Sequence, residues 1–317
     1  MDSILRGNGM KRYAKQTGRI ALLMAGITAV AAIVTAFTGR VGMPRAQKTV
    51  VTTTAPLYAA ACAIVGETDG VWVENLTGSM TGCLHDYQLS PSNRITLQQA
   101  DLLLLNGGGA EAFLDDTLAA MPQLPTVDTS AGVDFLESTA AHGHDHADTD
   151  HDHAYNEHVW VGATRYAAQV QAVTDALCAL DEANASTYAA NGAAYIARVT
   201  ALGERLRAAV TALPSKNCVI FHDSLAYFAD ELGLTVTARL HVGEESGVSP
   251  ADLAAAQTAA ANDRQTLVLY DSQYTARYAS VDGLVAPECV LAIDTAVLGT
   301  DWLTAMEHNA ILLEGLA

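Results

Sequence analysis

An Ala-rich stretch from Ala163 to Leu213 contains little that would stop a helix. Its one weak point, Asp181 to Asn184, predicts one helix before it and a long one after it, about Ser186–Leu213. At 1.5 Å per residue the second helix would run roughly 40 Å. That reach lets it pass from one domain to another as a strut. The chain on either side must therefore form its own packing unit.

Both sides carry the same alternation of short apolar runs and helical patterns. In the first half Thr49–Thr53, Val71–Glu74, Asp101–Leu105 and Thr126–Asp128 read as strands. Helices are expected at Pro56–Gly66, Pro91–Gln99 and Ala110–Met121. In the second half the strands are Cys218–Phe221, Thr235–Leu240, Thr266–Tyr270 and Val290–Ile293. The matching helices are Ser224–Glu231, Pro250–Ala261, Tyr274–Val281 and Asp301–Glu314. Ser90-Pro91 and Ser249-Pro250 are N-cap and first-turn signals. Unbroken runs such as LLLL and LVLY suit parallel sheets covered by helices on both faces. The expected fold is α/β with two lobes: an N-terminal lobe over 48–183, a linking helix over 184–213 and a C-terminal lobe over 214–317.

Charge narrows the function. The chain has 17 Lys and Arg against 35 Asp and Glu; only one acidic but seven basic residues fall in the first 47. The remainder is near −24, which disfavours phosphate backbones and so nucleic acid. No GxxxxGK[ST] stretch is present, which excludes a P-loop nucleotidase. Residues 1–47 read as a signal peptide or membrane anchor, with basic residues ahead of an uncharged run from Ile20 to Phe37. Export is the expectation, with residues 20–37 either removed or kept as the anchor. Of five cysteines, Cys218 and Cys289 lie in strand-like runs and could bridge, while each reads first as a small buried apolar residue.

The histidines carry the chemistry. His142, His144, His146, His151 and His153 alternate with Asp145, Asp148, Asp150 and Asp152 in a segment without apolar periodicity, 138–156. That composition suits weak, multi-site capture of a transition metal from a surface loop. His222 follows the buried run CVIF and Asp271 follows LVLY, at the carboxyl ends of two strands, where open α/β sheets bind ligands. His85 precedes the capped helix at Pro91, and His158 lies just beyond the histidine-rich segment. Three neutral imidazoles and one carboxylate form a tetrahedral set suited to Zn²⁺, with two members from each half, as a cleft would require.

These segments resemble the solute-binding proteins of bacterial ABC importers for zinc and manganese, and most closely the zinc branch. The matching stretches are HDYQLSPSNRITLQQADLLLLNGGGAE, EHVW, DEANASTYAANGAAYIARVTAL, VIFHDSLAYFADELGL, ESGVSPADL and LVLYDSQYTARYAS, in family order over nearly all of Thr49–Ala317. The resemblance implies two α/β lobes joined by a rigid long helix, with the metal in the cleft between them. It carries the three histidine ligands onto His85, His158 and His222, and the carboxylate onto Asp271. Manganese-preferring members have a carboxylate where this chain has His222, so nitrogen at that position favours zinc over manganese. Two family features differ: Gly162-Ala163 replaces the Asp-Pro that commonly follows the H-x-W motif, and Leu84 replaces the acidic residue before the first histidine.

The resulting expectation is a non-enzymatic, monomeric receptor that binds Zn²⁺ outside the cell and hands it to an ABC permease and its ATPase. The alternatives are a manganese or mixed-metal importer subunit, a metal-binding adhesin and, from another class, a zinc hydrolase. NGGGAE at Asn106–Glu111 is not GxGxxG and reads as a tight turn rather than a nucleotide loop.

Overall fold

Two four-stranded parallel sheets share one strand order. In the first, β1 (Lys48–Thr52) lies between β2 (Val71–Asn75) and β3 (Leu102–Leu105), and β4 (Thr126–Asp128) pairs outside β3. In the second, β5 (Asn217–Ile220) lies between β6 (Thr235–Arg239) and β7 (Leu267–Asp271), with β8 (Val290–Ile293) outside β7. The structure is a computed structural model that describes residues 48–78, 84, 87–138, 155–240, 248–275 and 289–316. Residues 1–47, including the apolar run 20–37, lie outside them. Among the described residues no helix is long and apolar enough to cross a membrane.

The helices fall where connections between parallel strands need them. In the first half these are α1 (Ala55–Val65), α2 (Pro91–Gln99) and the short α3 (Asp115–Ala119). After the pair α4 (Ala163–Leu180) and α5 (Ala185–Ala212) come α6 (Leu225–Leu232), α7 (Pro250–Asn262) and α8 (Trp302–Glu314). The two serine caps form as the sequence predicts. Ser90 Oγ accepts from Asn93 N while Ser90 N donates to Asn93 Oδ1, and Ser249 Oγ accepts from Asp252 N. Each such cap contributes about 1 kcal/mol.

The 28-residue α5 packs on α4, α1 and α8. One apolar core runs without a break from Val50 and Leu104 through Tyr166 and Val199 to Ile220 and Trp302. One face of each sheet and the helix pair therefore share a buried interior, with separate clusters on the opposite sheet faces, so α5 acts as a packed spine.

One expected helix changes, one is described only at its start, and one open cysteine pairing closes. The helix expected over Ala110–Met121 is a 3-10 turn, Ala112–Leu114, followed by α3 alone. The cause is the preceding Gly107-Gly108-Gly109, all at positive φ, which turns Glu111 inward to serve the loop instead of a helix face. Residues 272–275 form a 3-10 turn at the start of the expected Tyr274–Val281 helix, of which 276–281 lie outside the described residues. Cys218 and Cys289 do not bridge. Cys218 pairs with Leu267 of β7, and Cys289 precedes β8 on the far side of that strand. Two strand spacings, about 10 Å, exceed the Cα separation a disulfide spans.

Candidate metal centre

Phe221 N still donates to Leu269 O, so His222 is the first residue beyond the β5 ladder. Asp271 is the last residue of the adjacent β7. The two side chains therefore leave neighbouring strands at their carboxyl ends, as the apolar runs before them imply. His158 comes from the other side of α4, opening the 3-10 turn Val159–Val161 that leads into that helix. The His158 and His222 rings stand edge to face, 5.3 Å between centroids and 87° apart.

His158 is buried and tightly framed. Its Nδ1 lies 2.9 Å from Asn156 Oδ1 and 3.6 Å from Glu157 Oε1, and its backbone N–H donates to the same Asn156 oxygen at 3.1 Å. The carbonyl of Glu157 accepts from Asn106 Nδ2 at 2.9 Å. Asn106 belongs to the NGGGAE turn, which is the tight turn expected. Gly107 has φ +87° there, and a Cβ on it would sit 1.9 Å from Asp128 Oδ1, so only glycine fits. The turn is held from within by Glu111, whose carboxylate accepts from Thr53 Oγ1, Asn106 N and Gly107 N. Burial pushes the Glu111 carboxyl up to about 7, against the pull of those three donors.

The H-x-W motif also has a structural explanation. Trp160 Nε1 donates to Thr295 O at 2.9 Å, and Trp302 Nε1 donates back to Trp160 O at 2.7 Å. The turn that carries His158 is thereby bolted to the segment after β8 and to α8. Gly162, which follows this turn, lies against the Glu231 side chain. A Cβ there would lie 2.9 Å from Glu231 Oε1, whose partner oxygen accepts from Thr164 N.

On the other side, Ser224 N donates to His222 Nδ1 at 3.1 Å. Asp271, 1 % exposed, accepts from Thr295 Oγ1 at 2.8 Å, from Gln273 N and Nε2 at 3.1 and 3.0 Å, and from Ser224 Oγ at 3.4 Å. Burial raises its carboxyl, while Thr295, Gln273 and the neighbouring His158 draw it back towards the charged form. A cation at this position would act in the same sense as those donors.

The structure sets His158 and His222 ring to ring, with Asp271 at the neighbouring strand end near enough for His158 to act on its charge. His85 and the histidine-rich set His142, His144, His146, His151 and His153 lie outside the described residues. Among the described residues no three His, Cys, Asp or Glu side chains converge closely enough to hold an ion by themselves. A small cavity of about 30 Å³ opens beside His158, lined by Thr53, Thr54, Leu84, Glu157, Trp160 and Gln273 among others. Leu84 takes the place of the family's acidic residue as a buried apolar wall of that cavity. Asn156, Asn106, Gln273 and Thr295 support the centre and were not singled out by the sequence. Only Asn106 had a local signal, as the residue opening a glycine run.

Comparison with known proteins assigns the chain. The model of the zinc-uptake complex component A family, described as periplasmic, matches residues 50–314. The chain belongs to that family. Among curated members it is 29% identical over 202 residues to the high-affinity zinc uptake system protein ZnuA of Paracoccus denitrificans. That match covers 54% of this chain and 60% of the relative, so it spans less than two thirds of that protein. It is 28% identical over 218 residues to ZnuA of Yersinia pestis, covering 63% of this chain and 68% of that one. The crystal structure of a zinc-bound ZnuA deletion mutant superposes with a TM-score of 0.67 at 24% identity, over 83% of this chain and 95% of that one. The family fold of two parallel-sheet lobes and a long helix is therefore the fold of this chain.

Proposed function

We propose that this protein is the extracytoplasmic zinc receptor of an ABC importer, holding Zn²⁺ with His85, His158, His222 and Asp271 and delivering it to a membrane permease. The observation that carries the reading is the pairing of His158 with His222. Two imidazoles from segments 64 positions apart stand edge to face beside a buried carboxylate at a neighbouring strand end. Nothing in a purely structural core calls for that grouping, whereas neutral imidazoles plus carboxylate match the donor preference of zinc. Family membership and relatives named for zinc uptake support the same cargo.

In this reading the protein performs no bond chemistry. The carboxylate offsets the ion's charge, the buried walls exclude competing water, and the packed spine holds the donors in register. The segment 142–153 recruits ions without setting selectivity. Domain limits of 48–183, 184–213 and 214–317, a leader in 1–47 and a monomeric state belong to the same proposal.

Calorimetry and metal analysis of untagged protein test it. One tightly held zinc per chain is expected, with tight binding lost in His222→Ala. A chain that takes up no stoichiometric zinc would overturn the reading. Deleting His142–His153 is expected to lower the total number of bound ions while sparing the tight one.

A further inference from the structure

We infer that Asn156 is a positioning residue that fixes the tautomer of His158, leaving Nε2 as the lone-pair nitrogen, and couples that choice to the segment carrying His222. Its consequence for zinc rests on the function proposed above; the tautomer does not.

The inference follows from what each atom can do. Asn156 Nδ2 lies 2.7 Å from the carbonyl oxygen of Asp223. A carbonyl can only accept, so the amide group facing it must be the NH₂. The other end, facing His158, is then the oxygen Oδ1, which can only accept. It takes the backbone N–H of His158 at 3.1 Å, and the ring nitrogen 2.9 Å away must also donate. His158 Nδ1 therefore carries a proton. Glu157 Oε1, 3.6 Å from the same nitrogen, is another acceptor and points to the same tautomer. In the neutral ring Nε2 is then unprotonated, which is the form that ligates a metal. A carbonyl on the residue next to His222 thus determines which nitrogen of His158 is available.

Asn156 has no freedom to reverse this. Its backbone N–H donates to Leu136 O at 2.8 Å, and its carbonyl accepts from the Tyr227 hydroxyl at 2.6 Å. Tyr227 in turn accepts from Leu136 N at 3.0 Å. Both ends of the side chain and both backbone groups are engaged, and the residue is 1 % exposed. Turning the amide over would set an oxygen against the Asp223 carbonyl and an NH₂ against the His158 backbone N–H.

Long-range proton–nitrogen NMR of metal-free, full-length protein reads the ring directly, with His158→Gln to assign it. Wild type is expected to show a protonated Nδ1 and an unprotonated Nε2. Asn156→Ala should give a mixture of tautomers and a tenfold to hundredfold weaker zinc affinity, the range for loss of a partner that orients a metal-binding histidine. Asn156→Asp keeps the acceptor and loses the donor. It should retain the ring signature while amide exchange at residues 224–226 speeds up. A wild-type ring protonated on Nε2 overturns the inference, and so does Asn156→Ala with ring signature and zinc affinity unchanged. If Asn156→Ala does not fold, the wild-type ring and Asn156→Asp still decide. Should the ring behave as expected in a protein that takes up no zinc, the proposed function fails and the positioning role stands. Tight zinc binding with the opposite tautomer does the reverse: the function stands and the positioning role fails.

Discussion

His158 and His222 face each other across 5.3 Å, yet the hydrogen bonds behind them are opposite in sense. Behind His158 stands an acceptor, Asn156 Oδ1, so Nδ1 donates and Nε2 keeps its lone pair. Behind His222 stands a donor, the Ser224 N–H, so Nδ1 accepts and the proton of the neutral ring sits on Nε2. If the two rings ligate as proposed, His158 offers Nε2 at once, while His222 must surrender its Ser224 contact before its Nε2 can bind. In the function proposed above, a rigid donor on the helix-pair side and an adjustable one at a strand end would suit holding an ion and later releasing it.

The sharpest way to break this contrast is to watch both rings during zinc titration. Opposite tautomers are expected without metal, and zinc should invert His222 alone; two rings of the same tautomer at the start would end the comparison. Alanine at either His158 or His222 should abolish tight binding, as read by competition with a chelating dye, because each removes a donor that the remaining groups cannot replace.

Next in size is the support beneath His158. Glu111, with its carboxyl at about 7, keeps its proton in the folded protein at pH values where the unfolded chain, near 4.5, has lost it. Stability should therefore fall as pH rises from 4.5 to 7, by up to about 3 kcal/mol from this group. Urea unfolding of wild type and Glu111→Gln across that window should show the difference between them moving in favour of the variant. No such drift would mean that the buried carboxyl ionises as it does in water.

Trp302→Phe removes the indole N–H from the Trp160 carbonyl and should cost about 2 kcal/mol in thermal or urea unfolding, since a buried acceptor is left without its donor. The smallest effect is expected from Arg165→Ala. Arg165 pairs with Asp230 at 2.9 Å and lies 4.8 Å over the Tyr227 ring, contacts worth about 1 kcal/mol together. A larger loss in zinc affinity than in stability would show that this outer brace transmits to Asn156 through Tyr227.

Much of this fold was legible from the chain because its determinants are local. LLLL and LVLY became central buried strands, and both Ser-Pro pairs became caps. The long Ala-rich stretch became α4 and α5, separated by a 3-10 turn, Glu182–Asn184, inside the expected interruption. Where local pattern failed, a longer-range demand had prevailed. Ala110–Met121 has helical composition, but Glu111 is required beneath the glycine turn and Leu114 N bonds to its carbonyl in 3-10 fashion. Whether Cys218 and Cys289 bridge stayed open in the sequence, because the sequence does not reveal that β7 lies between them. Of the centre, His222 and Asp271 were marked by the runs before them. Asn156 carries no such mark, since an asparagine in a loop gains its meaning only from the Asp223 carbonyl 67 positions away.

Glu137 and Tyr155 form an isolated antiparallel bridge, with the Phe135 and Tyr155 rings 5.3 Å apart and Asn156 N bonded to Leu136 O. This knot ties off the chain on both sides of residues 139–154, one step before Asn156. Whatever length or composition is spliced in there, tension on it ends at the knot. The position is therefore a natural port for grafting a reporter or a metal-binding sequence, and such chimaeras should inherit the geometry at His158 unchanged.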